Sequence, residues 1–219
     1  MEITPSLTVA SYNIHQCVGI DGRCDPRRIA RVVQEMNADI IGLQEVHSRL
    51  TQDREAQQLE FLADATGMNA VAGPTLYRKG GPFGNALLTN SPLLAVRFIE
   101  LSVLGREPRG GIDAEVGVAE EKIRVVVTHL GLRAHERRFQ VKRLLAALAE
   151  ERGCVAVLLG DMNEWFPRAP SLRWLEDYFG GAPTPRTFPA WFPLFALDRI
   201  WTKPKEALGD VHVHSSPLA

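Results

Sequence analysis

What the chain has little of narrows its class first. Cysteine is scarce: Cys17, Cys24 and Cys154 are the only three in 219 residues, an odd number without metal-ligand spacing, so neither a disulfide framework nor a thiolate metal site is expected. Cys154 opens an apolar run where a thiol serves as a small hydrophobe, and Cys17 and Cys24 flank a loop, in keeping with a reducing compartment. No apolar run approaches membrane-spanning length, and the opening Met-Glu-Ile-Thr-Pro lacks the basic region and apolar core of a secretion signal, which makes a cytoplasmic protein without a transmembrane segment the expectation. Charge of one sign is lacking too. The 25 Lys and Arg nearly balance 26 Asp and Glu, a net charge of −1, so there is no excess of cations for broad duplex binding. Repeats, heptads and low-complexity tracts are absent, and with 45% hydrophobic residues one domain over residues 1–219 is expected.

What is there is a recurring design. Val155-Ala-Val-Leu-Leu-Gly-Asp-Met-Asn163 is an apolar run, read as a strand buried on both faces, that ends in Asp161 and Asn163. Thr8 to Asn13, Ala38 to Glu45 and Ile123 to His129 end in the same manner on an amide, an acid and an imidazole, and Ala196 to Trp201 holds Asp198 among apolar residues. In layered α/β folds, polar residues just past strand ends line the ligand crevice. Hard oxygen donors at Asn13, Glu45, Asp161 and Asn163 suit Mg²⁺ or Mn²⁺, and a histidine beside them suits phosphoryl chemistry.

Two helices are expected from their caps and apolar faces: one opened by Asp25-Pro26 with Ile29, Val32, Val33 and Met36 inward, and one from about His135 to Arg152 stopped by Gly153. A weaker one covers about Arg54 to Thr66. The Pro- and Gly-containing stretches 73–84, 104–111 and 180–193 read as surface loops. Alternating strands and helices early and late, with a strand-rich middle, predict an α/β (α+β) fold: a four-layer α/β sandwich of two packed mixed β-sheets flanked by helices.

In order, Tyr12-Asn13-Ile14, Leu43-Gln44-Glu45-Val46, Gly84-Asn85-Ala86, Thr128-His129-Leu130, Gly160-Asp161-Met162-Asn163 and Leu197-Asp198-Arg199-Ile200 resemble the endonuclease/exonuclease/phosphatase superfamily, whose fold is that of pancreatic deoxyribonuclease, and in particular its small bacterial members. The resemblance implies a metal-dependent phosphoesterase using Mg²⁺ or Mn²⁺. Glu45 is then the first metal ligand, assisted by Asn13 through the metal's water shell or a phosphate oxygen. Asp161 holds the attacking water or a second metal, Asn163 donates to the phosphate, and His129, as imidazolium, contacts a non-bridging oxygen or protonates the leaving group. Asn85 and Arg109, the latter in Glu107-Pro-Arg-Gly110, are further candidates for phosphate contacts.

The family pattern ordinarily closes with Ser-Asp-His, whose histidine is the general base that the Asp198 position orients. That motif is missing here, His212 and His214 read as strand or loop residues, and the chain is expected to lack its final Ser-Asp-His strand. The substrate is expected to be a small or lipid-derived phosphate ester. Two alternatives stay open: a nuclease acting on DNA, for which the basic stretch Arg133 to Arg143 speaks, and a catalytically inactive binding module of the same fold.

Overall fold

The computed structural model describes residues 6–150 and 153–218. Its architecture follows from two strand–helix–strand units. β1 (Val9–Asn13) runs parallel to β2 (Ile40–His47), and β7 (Glu121–His129) runs parallel to β8 (Val155–Asp161). Parallel neighbours need a long crossover. The first is made by α1 (Pro26–Met36) and the second by α3 (Ala134–Leu148). Antiparallel strands complete each sheet. β3 (Asn69–Arg78) and β4 (Gly81–Thr89) give the order β1-β2-β4-β3, while β5 (Leu93–Glu100), β6 (Gly110–Val118) and β9 (Asp198–Lys203) give β5-β6-β7-β8-β9.

The apolar surfaces form four layers, as the patterning predicts. Ile41, Leu43 and Leu88 face α1 and α2 (Gln58–Thr66), meeting Ile29, Val33 and Leu62. Between the sheets, Ile40 and Leu87 of one meet Ile112, Val127 and Leu159 of the other. Outside the second sheet, Val126 and Leu158 pack beneath α3 and α4 (Pro170–Phe179) through Leu144, Leu172 and Leu175. The sheets approach each other closely at Gly42, where a Cβ would lie 2.1 Å from Leu159 Cδ1.

The structure corrects several sequence expectations. Residues 73–84 are not a loop but belong largely to β3 and β4. Gly73 is there for packing, since a Cβ would approach Ile112 Cγ1 of the facing sheet to 2.5 Å. Helix α1 begins where predicted, with Asp25 Oδ1 accepting from the Arg28 N–H at 2.9 Å. α2 starts at Gln58, later than Arg54, where Ser48 Oγ accepts from the Leu59 N–H and takes the capping role. α3 stops at Leu148, and its expected end at Arg152 lies outside the described residues. The buried Arg124 guanidinium fixes that stop. It forms a two-pronged pair with Asp113 (2.9 Å each) and donates to the carbonyls of Ala147 at 2.8 Å and Glu150 at 3.1 Å. His212 and His214 lie in irregular, exposed chain, with His214 Nε2 3.4 Å from Glu35 Oε2.

Candidate active site

Both strand–helix–strand units release their polar residues at the carboxyl ends of the strands, and the packing of the sheets brings those ends together. Asn13 closes β1, Glu45 lies near the end of β2, His129 closes β7 and Asp161 closes β8. Asn13 joins the two halves: its Nδ2 donates to Glu45 Oε1 and to Asp161 Oδ2, each at 3.2 Å. Its Oδ1 accepts from the His15 N–H at 3.0 Å, so the amide's orientation is fixed.

Glu45 is the one residue of β2 that is not fully buried. Its backbone takes φ 59°, and the β2–β4 register breaks between Leu43 and Val46. A left-handed non-glycine residue within a bulge re-aims its side chain at a local conformational cost, a device common at functional sites. Asn163 has the same signature, with φ 49°. Its N–H donates to Asp161 Oδ1 at 2.8 Å, and its Nδ2 donates to Leu130 O and to His129 Nε2, both at 2.8 Å.

That last bond sets the protonation of His129, because a nitrogen that accepts from an amide carries no proton. Burial, reinforced by the nearby Arg109 charge, lowers the imidazole pKa to about 3. His129 is therefore a neutral ring, 3.6 Å from Asp161 Oδ2, in contrast to the imidazolium expected from sequence. Asp161 is pushed in the other direction, its pKa raised by burial and only partly offset by the Asn163 and Asn13 donors. Asp198 is its register partner on β9. Burial, with the Asp161 charge added, raises its pKa to about 7. Asp198 Oδ1 is buried without a hydrogen-bond partner.

Arg109 also reaches this cavity, 8% exposed. Its Nη1 pairs with Glu107 Oε1 at 2.8 Å, and Glu107 Oε2 in turn pairs with Arg78 Nη2 at 3.0 Å. Sequence reading missed Arg78, which the strand-ending turn Arg78-Lys-Gly-Gly could have flagged as a cation placed by a hairpin. Asn85 is set apart. It is outside the cavity lining, and its Nδ2 donates to the Gly110 carbonyl at 2.9 Å, tying β4 to β6. The cavity, roughly 2370 Å³, continues from these groups along the groove between β1 and β9.

The donors fit a hard cation. Glu45 Oε1 and Asp161 Oδ2 both accept from the Asn13 amide nitrogen, so two carboxylate oxygens are gathered around one side chain. No compact group of three His, Cys, Asp or Glu side chains exists among the described residues. A site with so few protein carboxylates and no thiolate suits a hard divalent cation that keeps other oxygen ligands in its shell better than a structural zinc.

Comparison with known proteins bears on the fold and the family. The model of the Endonuclease/Exonuclease/phosphatase family matches residues 10–219. An uncharacterized protein of Escherichia coli, YbhP, is 31% identical over 216 residues, spanning 90% of this chain and 85% of its own length. The human Nocturnin catalytic domain with bound sulfate superposes with a TM-score of 0.70 at 20% identity, covering 92% of this chain and 84% of that one. A mannosyl-6-phosphatase of Bacteroides thetaiotaomicron gives a TM-score of 0.70 at 18% identity, covering 90% and 85%. The order of strands, the placement of the polar strand ends and the family match lead to one conclusion: the chain belongs to the endonuclease/exonuclease/phosphatase family.

Proposed function

We propose that this chain is a divalent-metal-dependent phosphoesterase that hydrolyses its substrate by in-line attack of water. The observation that carries the reading is the Glu45–Asn13–Asp161 bridge, which joins a carboxylate of each sheet through one amide. Glu45 and Asp161 are the residues that would hold Mg²⁺ or Mn²⁺, with Asn13 beside them; when bound, the ion supplies charge neutralisation at the phosphate. Asp161 also positions the attacking water. Asn163 gives an amide hydrogen to a phosphate oxygen by releasing one of its two present acceptors, and the neutral His129 holds the Asn163 amide beside Asp161 until it does so. Arg109 supplies a fixed positive charge near His129 and Asp161.

A small or lipid-derived phosphate ester fits better than duplex DNA. The net charge is −1. The basic stretch after β7 also offers fewer cations than its sequence suggests, because Arg137 is buried and paired with Glu164 at 2.8 Å. The inactive-module reading is favoured by one feature, the Asp198 carboxylate without a donor at Oδ1. Turnover of a chromogenic phosphodiester and monoester with Mg²⁺, Mn²⁺ or excess chelator tests the proposal, alongside plasmid, abasic oligonucleotide and lipid diesters at one salt concentration. Metal-dependent turnover is expected. Activity surviving chelation, or preferential cleavage of either DNA, would overturn the metal or the substrate half respectively, and no turnover of any substrate would favour the inactive module.

A further inference from the structure

The loop from Pro183 to Leu197 carries an anomaly that the hydrolytic site does not use. Its tip leaves Trp191 76%, Phe192 59% and Leu194 47% exposed, large apolar side chains that a soluble surface ordinarily covers. The tip is ordered by its own hydrogen bonds. Phe188 and Phe195 pair as a bridge at its base, the Phe192 N–H donates to Pro189 O, and the Leu194 N–H donates to Phe188 O. Trp165, two residues past Asn163, holds the base in place, its ring centroid 4.7 Å from Phe195 and 5.7 Å from Phe188. Next to it Phe166 is 72% exposed, and across the cavity mouth Leu132 is 67% exposed.

The charges carried by the segments that form this patch are of one sign. Arg186 within the loop, Arg168 after Phe166 and Arg133 after Leu132 are exposed. No Asp or Glu occurs in 183–197, 165–169 or 130–135. Trp165, Trp191, Leu132 and Arg133 line the same cavity as Asn13 and Asp161, so the patch rims the mouth of the site.

We propose that this aromatic rim docks on an anionic phospholipid bilayer, the tip of the 183–197 loop entering the headgroup region and Arg133, Arg168 and Arg186 meeting the lipid phosphates. Two features favour a bilayer over a protein partner. Pro189 and Pro193 have no N–H, and the donors of Phe188, Phe192, Leu194 and Phe195 are satisfied inside the loop. The tip therefore enters an apolar medium with few unpaired backbone groups, whereas a strand-adding protein partner would need such groups free. Tryptophan beside arginines, in segments without acids, is also the composition that an anionic interface recognises. No helix of the described residues is long and apolar enough to cross a membrane, so the contact is peripheral. The docking goes beyond the hydrolytic reading and holds whichever bond the site cleaves.

Co-sedimentation of the full chain with vesicles of phosphatidylcholine alone, and of phosphatidylcholine mixed with phosphatidylglycerol, tests this without any assay of hydrolysis. Binding to the mixed vesicles is expected, weakened by salt and by roughly tenfold or more in Trp191→Ser/Phe192→Ser and in Arg168→Glu/Arg186→Glu. These exposed positions leave the circular dichroism spectrum unchanged. Equal binding to both vesicle types, no binding to either, or undiminished binding by the loop variant would overturn the proposal. Concentration-dependent self-association lost in the loop variant, with no vesicle binding, would assign the patch to a second copy of the chain instead.

Discussion

Asp161 and Asp198 face each other as register partners of β8 and β9, yet only Asp161 has both oxygens held, by Asn13 and by the Asn163 N–H; Asp198 Oδ1 has no partner. Two buried carboxylates in adjoining strands make the metal-free protein sensitive to pH.

The first prediction is the sign of that sensitivity. The folded-state pKa of Asp198, about 7, lies above its ordinary value of 3.8, so the folded chain binds this proton more tightly than the unfolded chain. Stability contributed by the proton is present below pH 4, is lost as pH rises from about 4 to about 7, and stays lost above. Asp198→Asn removes the charge, and in chelator its stability advantage over the parent should grow across that window to roughly 1 to 3 kcal/mol. Urea denaturation at pH 4.5 and pH 8 measures it. An advantage that does not grow between those values would show that Asp198 already has its charge compensated.

Glu45→Gln keeps the shape of the side chain and the bulge that aims it. Mn²⁺ affinity measured by calorimetry should fall roughly tenfold or more and metal-dependent turnover should vanish, with the melting temperature in chelator nearly unchanged. Undiminished Mn²⁺ binding would remove Glu45 from the ligand set.

Asn163 separates a chemical role from a conformational one, because its φ of 49° favours glycine. Asn163→Gly and Asn163→Ala both delete the amide, and both should lower kcat by about 10²- to 10³-fold. The alanine variant alone pays the left-handed backbone, and it should be less stable than the glycine variant by about 1 kcal/mol. Equal stabilities would mean that the loop relaxes once the amide is gone.

The cysteines differ in exposure enough for a labelling test. Cys17 is buried, and burial with the neighbouring Cys24 and Asp25 raises its thiol pKa far above the usual range, while Cys24 is exposed. In native protein, a maleimide should label Cys24 promptly and reach Cys17 only on unfolding. Rapid labelling of Cys17 in native protein would show that the 15–24 loop opens readily.

Much of this was legible in the sequence because strand-end polarity is a local signal. The runs ending at Asn13, Glu45, His129 and Asp161 announced both their strands and the side of the sheets on which the site would form. The β3–β4 hairpin was not legible: Gly73 and Pro74 read as turn residues, and only the facing sheet, with Ile112 occupying the space of a Cβ, explains a glycine inside a strand. The early end of α3 was hidden for the same reason, since Arg124 comes from a distant strand. The charge state of His129 depends on Asn163 and Arg109, neither of which is its neighbour in the chain. Asn85 shows the converse error, where a family-like string of residues holds an amide given over to a structural bond.

The close approach at Gly42 has a consequence for the chemistry. Glu45 is carried by one sheet and Asp161 by the other, so the pair is only as near as the sheets allow, and Gly42 against Leu159 is the spacer that sets their separation. A single methyl group added there, between the sheets, acts as a wedge. It would pull apart the two halves of the candidate site without replacing any of its residues.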